Sequence, residues 1–246
     1  MWTRDIRAVT FSDSATLRCP PKSEVLPAAI YEALLVRGVS VSRETFLEGW
    51  GRATRLRLEA RWGDLSEEPF EATLASFIPE QVDGLSDVVA HAVESIASSI
   101  EWFPDALPTL DFLREAGYRI AVVGDSPGPL GRTWLARMAP WIDIAVLSRD
   151  VGRVKPHPSM FKEVLVRLGV LPKQVLHVGD QPVADVFGAK TVGMRTALLE
   201  RVPRDPPSPQ SFEWLKRVQS FEPQDVVPDL KIRSLEEIPA VLDQFG

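Results

Sequence analysis

Four short segments carry the side chains that could do chemistry: Ser12-Asp13-Ser14, Gly124-Asp125-Ser126, Lys155-Pro156, and Gly179-Asp180 with Asp185 five residues further on. Hydroxyls, carboxylates and a lysine are the groups of nucleophilic attack, proton transfer and cation binding. A carboxylate, with a pKa of about 3.9, is an anion at neutral pH, whereas a serine hydroxyl needs an adjacent base to become one. No such base is evident beside Ser12 or Ser14. Taken singly, each group has a plain structural reading. Asp180 and Asp185 read as acids capping a helix start, Lys155 as a solvated lysine, and His157 and His177 as structural residues of a proline-flanked loop and a strand. Asp13 and Asp125 could also gather into a carboxylate cluster that binds a cation for a different reaction.

Position gives these segments a joint meaning. Apolar runs over Ile6 to Phe11, Arg119 to Val123, Ile142 to Leu147, Val175 to Val178 and Arg195 to Leu199 have strand character, and three of them end at the segments above. Stretches of helical spacing, such as Ala106 to Ala116 and Ser159 to Leu168, lie between the strands. Alternation of this kind predicts a parallel sheet covered on both faces, with ligands outside the carboxyl ends of the strands.

The interval from Arg18 to Ser99 shows no convincing strand. Leu85, Val88, Val89, Ala92, Val93 and Ile96 mark one buried helical face, and Phe46, Trp50 and Ala53 begin another. A single crossover rarely needs so long a segment, so the interval reads as a helical bundle inserted into the sheet domain. The division expected is a core of residues 1–17 and 100–246 with a cap of 18–99; helices packed directly on the core are the plainer alternative. Trp50, Thr54, Arg57 and Arg61 share helical spacing and could face the cleft, or be part core and part solvated face. Near the C-terminus, the proline-rich Val202 to Asp229 stretch reads as a surface excursion gripping through Phe212, Trp214 and Leu215, and Leu235 to Phe245 as a closing helix.

Composition narrows the function classes. A net charge of -6 argues against a nucleic-acid partner. No apolar run approaches the roughly 20 residues of a membrane span, no signal-peptide pattern opens the chain, and one cysteine, Cys19, allows no internal disulfide. A cytoplasmic location is expected. The absence of asparagine, the excess of arginine over lysine and the 21 prolines fit a thermophile, although a GC-rich genome would skew codons the same way.

Read together, the segments resemble the four motifs of the haloacid dehalogenase-like superfamily. The strongest part is Lys155-Pro156-x-Pro158-x-x-Phe161, followed by Val178-Gly179-Asp180, Asp185, Gly188-Ala189-Lys190 and Gly193-Met194-Arg195; Trp102-Phe103-Pro104-x-Ala106 adds to it. The resemblance implies an α/β fold, a Rossmann-like parallel core with an inserted helical cap. It implies that Lys155 stabilises the nucleophile and the phosphoryl group, that Asp180 binds magnesium, and that Asp185 supports the metal or the lysine. The first motif departs from the family's Asp-x-Asp-Gly-Thr-Leu. Aligning Thr16-Leu17 puts Ser12 on the nucleophile and Ser14 on the acid/base position; a slip of one residue would instead bring Asp13 to the nucleophile position. At the second motif, the phosphate-binding hydroxyl is replaced by Gly124, and its neighbour is Asp125.

These changes imply a weakened magnesium site, with Asp180, Asp185 and Asp13 as the candidate ligands, and a phosphate site of Gly124, Asp125 and Lys155. The expected function is that of an inactive or impaired phosphatase homologue, monomeric or homodimeric, that binds a small molecule or a protein partner. The alternative is a magnesium-dependent phosphatase of a small phosphorylated metabolite, working through an altered site. Dehalogenation depends on the same missing aspartate.

Overall fold

The computed structural model describes residues 5–78, 82–97, 99–125, 129–201 and 226–245. Six parallel strands form one sheet: β1 (Ala8–Phe11), β2 (Arg119–Gly124), β3 (Ile144–Leu147), β4 (Val175–Gly179), β5 (Arg195–Leu199) and β6 (Leu230–Ile232), in the order β3-β2-β1-β4-β5-β6. The first strand is central. Phe11 pairs with Val122 of β2 on one side and Val178 of β4 on the other, so the loops that follow these three strands emerge side by side.

All four residues of β1 are buried, as a strand covered on both faces requires. Ala8 joins Ala121, Met160, Val164 and Val175 in one apolar layer, while Val9 and Phe11 join Leu110, Trp134 and Val178 in the other. Alternation of side chains along the strand thus decides which layer each loop residue continues. The first layer is closed by α8 (Pro158–Leu168), whose Met160, Phe161, Val164, Leu165 and Leu168 form one buried stripe. Its start is fixed by Pro158 in the first turn and by the His157 side chain accepting from Ser159 N, and its end by Gly169 at φ 63. Each such buried side chain contributes about 1.5–3 kcal/mol.

Among the described residues, four helices lie between β1 and α5 (Ala106–Glu115): α1 (Val25–Val36), α2 (Arg43–Asp64), α3 (Phe70–Ala75) and α4 (Leu85–Ala97); α6 (Pro129–Ala136), α7 (Ser148–Val151) and α9 (Gly188–Thr191) belong to the sheet domain. The first four have an apolar centre of their own, including Ile30, Leu34, Phe46, Phe70, Leu74, Val89 and Val93, distinct from both layers of the sheet domain. A bundle with its own core is what the helical spacing of the interval anticipates. Val88, Val89, Ala92, Val93 and Ile96 of α4 are all buried.

The structure differs from the sequence reading at several places, beginning with β1, which starts at Ala8 rather than Ile6. β3 begins at Ile144 rather than Ile142. The closing helix begins as a 3-10 turn over Leu235–Glu237, with Ser234 accepting from Glu236 N, before α10 (Ile238–Asp243). A sixth strand, β6, follows the proline-rich stretch, whose own expected grip through Phe212, Trp214 and Leu215 lies outside the described residues. Among the described residues, no helix is long and apolar enough to cross a membrane.

Candidate active site

The loop after β1 is held by its own backbone. Ser12 N donates to Val178 O at 2.9 Å, continuing the ladder to β4, and Leu17 N returns to Asp13 O at 3.0 Å. Turning the chain this tightly puts Ala15 at φ 61, a left-handed conformation that costs a residue with a β-carbon roughly 1–2 kcal/mol. Ser12, Asp13 and Thr16 are buried, and Ser14 is half-buried.

Ser12 follows the even-numbered face of β1, where Lys155 waits. The lysine Nζ donates to Ser12 Oγ at 2.8 Å and to Asp185 Oδ1 at 2.7 Å. Asp185 lies in a π-helical turn over Pro182–Phe187 and also accepts from Gln181 N at 2.9 Å. Burial by itself pulls the Lys155 pKa down, but the carboxylates of Asp185, Asp125 and Asp13 outweigh it and hold the ammonium above its ordinary value. Burial likewise pushes Asp185 up, and the Lys155 charge overrides it, leaving the carboxyl well below the usual range. Both groups are therefore charged at neutral pH. Lys155 is a donor to Ser12 and cannot serve as the base that would activate it.

The odd-numbered face carries Asp13 the other way. Its Oδ2 accepts from Arg18 at 3.2 Å, a buried ion pair with side chains 6% and 5% exposed, and the guanidinium lies 5.1 Å from the centroid of the Trp134 ring. A slip of one residue is thus not what the chain adopts: Ser12 meets Lys155, and Asp13 is taken by Arg18. Asp13 also meets Gly124, where an added β-carbon would stand 3.2 Å from its carboxyl carbon. Asp125 accepts from the Lys155 backbone N at 2.9 Å, which fixes the lysine loop to the end of β2.

Asp180 is buried and accepts from Thr16 Oγ1 at 3.1 Å. The Thr16 carbonyl in turn accepts from Arg201 at 2.8 Å, and Arg201 forks onto both oxygens of Asp105 at 2.6 and 2.7 Å. His177 has the structural place expected of it. It is buried beside Phe161, with Nδ1 2.9 Å from Thr10 Oγ1, and burial holds its pKa below the ordinary value.

Magnesium prefers several hard oxygen ligands. Asp185 is engaged by Lys155, Asp13 by Arg18 and Asp125 by the Lys155 backbone. Among the described residues, no group of three or more His, Cys, Asp or Glu is placed to hold a metal ion. This donor set does not match the family's usual metal centre.

The cap reaches the same region. Val154 N donates to Leu65 O at 2.9 Å and Glu67 N to Gly152 O at 3.2 Å, so the loop after α2 runs alongside the segment leading into Lys155. Trp50 packs against Phe46 and Phe70 inside the cap. Arg57 pairs with Glu67 and lies over the Phe70 ring. Thr54 is half-buried, and the Arg61 side chain lies outside the described residues.

Residues 22–193 match the family model of haloacid dehalogenase-like hydrolases. The chain belongs to that family. Within the haloacid dehalogenase-like hydrolases it is 33% identical over 205 residues to a ribulose-1,5-bisphosphate 5-phosphatase of Halopiger xanaduensis, covering 78% of this chain and 84% of that protein. It is 26% identical to a phosphoserine phosphatase of Thermus thermophilus, covering 82% and 81%. A glyceraldehyde 3-phosphate phosphatase of Methanopyrus kandleri is 32% identical over 150 residues, and the match spans 58% of each protein. Among solved structures, a haloacid dehalogenase-like phosphatase of Thermococcus onnurineus superposes with a TM-score of 0.69 at 24% identity, over 96% of this chain and 98% of that one. The family match begins after the first loop, the segment in which this chain departs furthest from the family pattern.

What sequence reasoning missed is the set of supports: Thr16 on Asp180, Arg18 on Asp13, and Arg201 on the Thr16 carbonyl. Arg18 was the legible signal, a charge in an apolar context directly after Thr16-Leu17.

Proposed function

We propose that this chain is a phosphatase-type hydrolase of a small phosphorylated metabolite, working slowly through an altered site that forms no aspartyl-phosphate. The observation that carries this reading is the contact of Lys155 Nζ with Ser12 Oγ at 2.8 Å, beside Asp185 at 2.7 Å. Lys155 would hold the phosphoryl group, and the group facing it is a hydroxyl that this charged ammonium cannot deprotonate. Attack then falls to water, without the two-step covalent relay that divides a difficult displacement into easier ones. Relatives matched over about four fifths of the chain are named as phosphatases, which supports hydrolysis over pure binding.

A second reading is a scaffold that binds a phosphorylated ligand or a protein partner without turnover. It is favoured by the loss of both first-loop carboxylates, Ser12 and Ser14 standing in their places. A cytoplasmic location and a thermophilic source remain part of the proposal, the last supported by the asparagine-free composition. The test is hydrolysis of an aryl phosphate and a panel of phosphorylated metabolites, with and without magnesium, using Asp180→Ala as the contamination control. Slow turnover that disappears in the variant supports the hydrolase; none above the control supports the scaffold.

A further inference from the structure

A second cleft lies at the opposite end of the sheet. A cavity of about 200 Å3 opens beside the amino ends of β1, β4 and β5, lined by Asp5, Arg7, Lys173, Gln174, Arg195 and Phe245 among others. Ser12 stands five positions of extended chain beyond Arg7, roughly 16 Å at the rise of a strand, so this is not the Lys155 site.

Its chemistry is that of an anion receptor. Three cations face one carboxylate in a chain whose net charge is -6, an inversion of the overall field. Backbone acceptors at the rim are used: Arg7 O accepts from Arg119 N at 3.0 Å, and Gln174 O from Arg7 N at 2.8 Å. Gln174 Oε1 accepts from Leu171 N at 3.0 Å, which leaves its amide NH2 as a donor. Arg195 is steadied by the Phe245 ring 5.2 Å away, so less side-chain freedom is lost when it engages a ligand. The volume is below the roughly 300–1,000 Å3 typical of drug-sized ligands and suits a smaller one.

We propose that this cleft binds a small dianion of the phosphate class, inorganic phosphate or a phosphate monoester. Three cations and one carboxylate leave the cleft with two positive charges to match it, and the donors outnumber the open acceptors.

The experiment is thermal denaturation of the full chain in inorganic phosphate against chloride at equal ionic strength, with Arg7→Gln/Arg195→Gln as the variant. Both side chains are exposed, and the shorter glutamine gives up only the Arg195 contact with the Phe245 ring. Phosphate is expected to raise the wild-type midpoint by at least about 2 °C beyond chloride, because a ligand that binds only the folded state stabilises it. The double variant is expected to lose most of that rise, and Lys173→Gln part of it. Repeating the titration with glycerol phosphate separates the sources: a larger rise assigns the site to a monoester, an equal one to the phosphate group alone. No rise beyond chloride, or a rise that the double variant keeps in full, overturns the proposal.

Discussion

A β-carbon on Gly124 would stand 3.2 Å from the carboxyl carbon of Asp13. The departure from the family pattern at the end of β2 is therefore sterically tied to the residue between the two first-loop serines. The missing side chain at 124 leaves the Asp13 carboxyl room to lie close to the end of β2.

Restoring a hydroxyl there should cost stability. Gly124→Ser is expected to destabilise the chain by about 1–3 kcal/mol, as overpacking does in a filled interior. In an Asp13→Val/Arg18→Leu background the same substitution should cost less, because the carboxyl it presses on has gone. Urea denaturation of the four proteins closes the cycle, and equal costs in both backgrounds would show that the two sites are independent.

The Asp13–Arg18 pair is buried on both sides. Arg18→Leu alone strands the Asp13 carboxylate and should cost about 3–5 kcal/mol, whereas Asp13→Val/Arg18→Leu should be near neutral or stabilising. Denaturant midpoints of the single and double variants decide it. A double variant as unstable as the single one would contradict the account.

Stability should depend on acidity in two steps. His177 has a folded pKa held below its unfolded value of about 6.5, so its contribution is present above that value and lost as pH falls beneath it. Asp185 is likewise depressed, and its contribution is present above the unfolded value of about 3.9 and lost as pH falls through the folded pKa. Lys155 is raised, so its contribution is full below about 10.4 and lost only as pH rises through the folded pKa. Melting temperature should therefore be level from neutral to mildly alkaline pH, sag below about 6.5 and fall again below about 4. His177→Gln should reduce the first step, leaving the part owed to His157, which burial also holds below its ordinary value, and keep the second; if both steps survive unchanged, another group is responsible.

The fold was legible where physics acts locally. Strands buried on both faces, such as Val175 to Val178, read as unbroken apolar runs, and the Met160, Phe161, Val164, Leu165 and Leu168 stripe announces α8. The positions of Ser12 and Asp180 followed from strand ends and a parallel topology, whereas Lys155 and Asp185 stood out only through the resemblance to the family motifs. What was not legible depends on contacts far apart in the chain: Arg201 reaching Thr16 across 185 positions, or Gly124 making room for Asp13. β6 was missed because its three residues follow a stretch dominated by proline and charge, where periodicity has no length in which to show.

The central claim is that the step this site lacks is the carboxylate step at Ser12. The most direct measurement is aryl phosphate hydrolysis, with magnesium, by wild type and by Ser12→Asp/Ser14→Asp, alongside the magnesium dependence of each melting temperature. The account predicts a gain of at least about tenfold in rate, equivalent to about 1.4 kcal/mol of barrier, and a larger magnesium-induced rise in melting temperature for the variant. A folded variant with no gain, or a wild-type activity that Ser12→Ala abolishes, would contradict it.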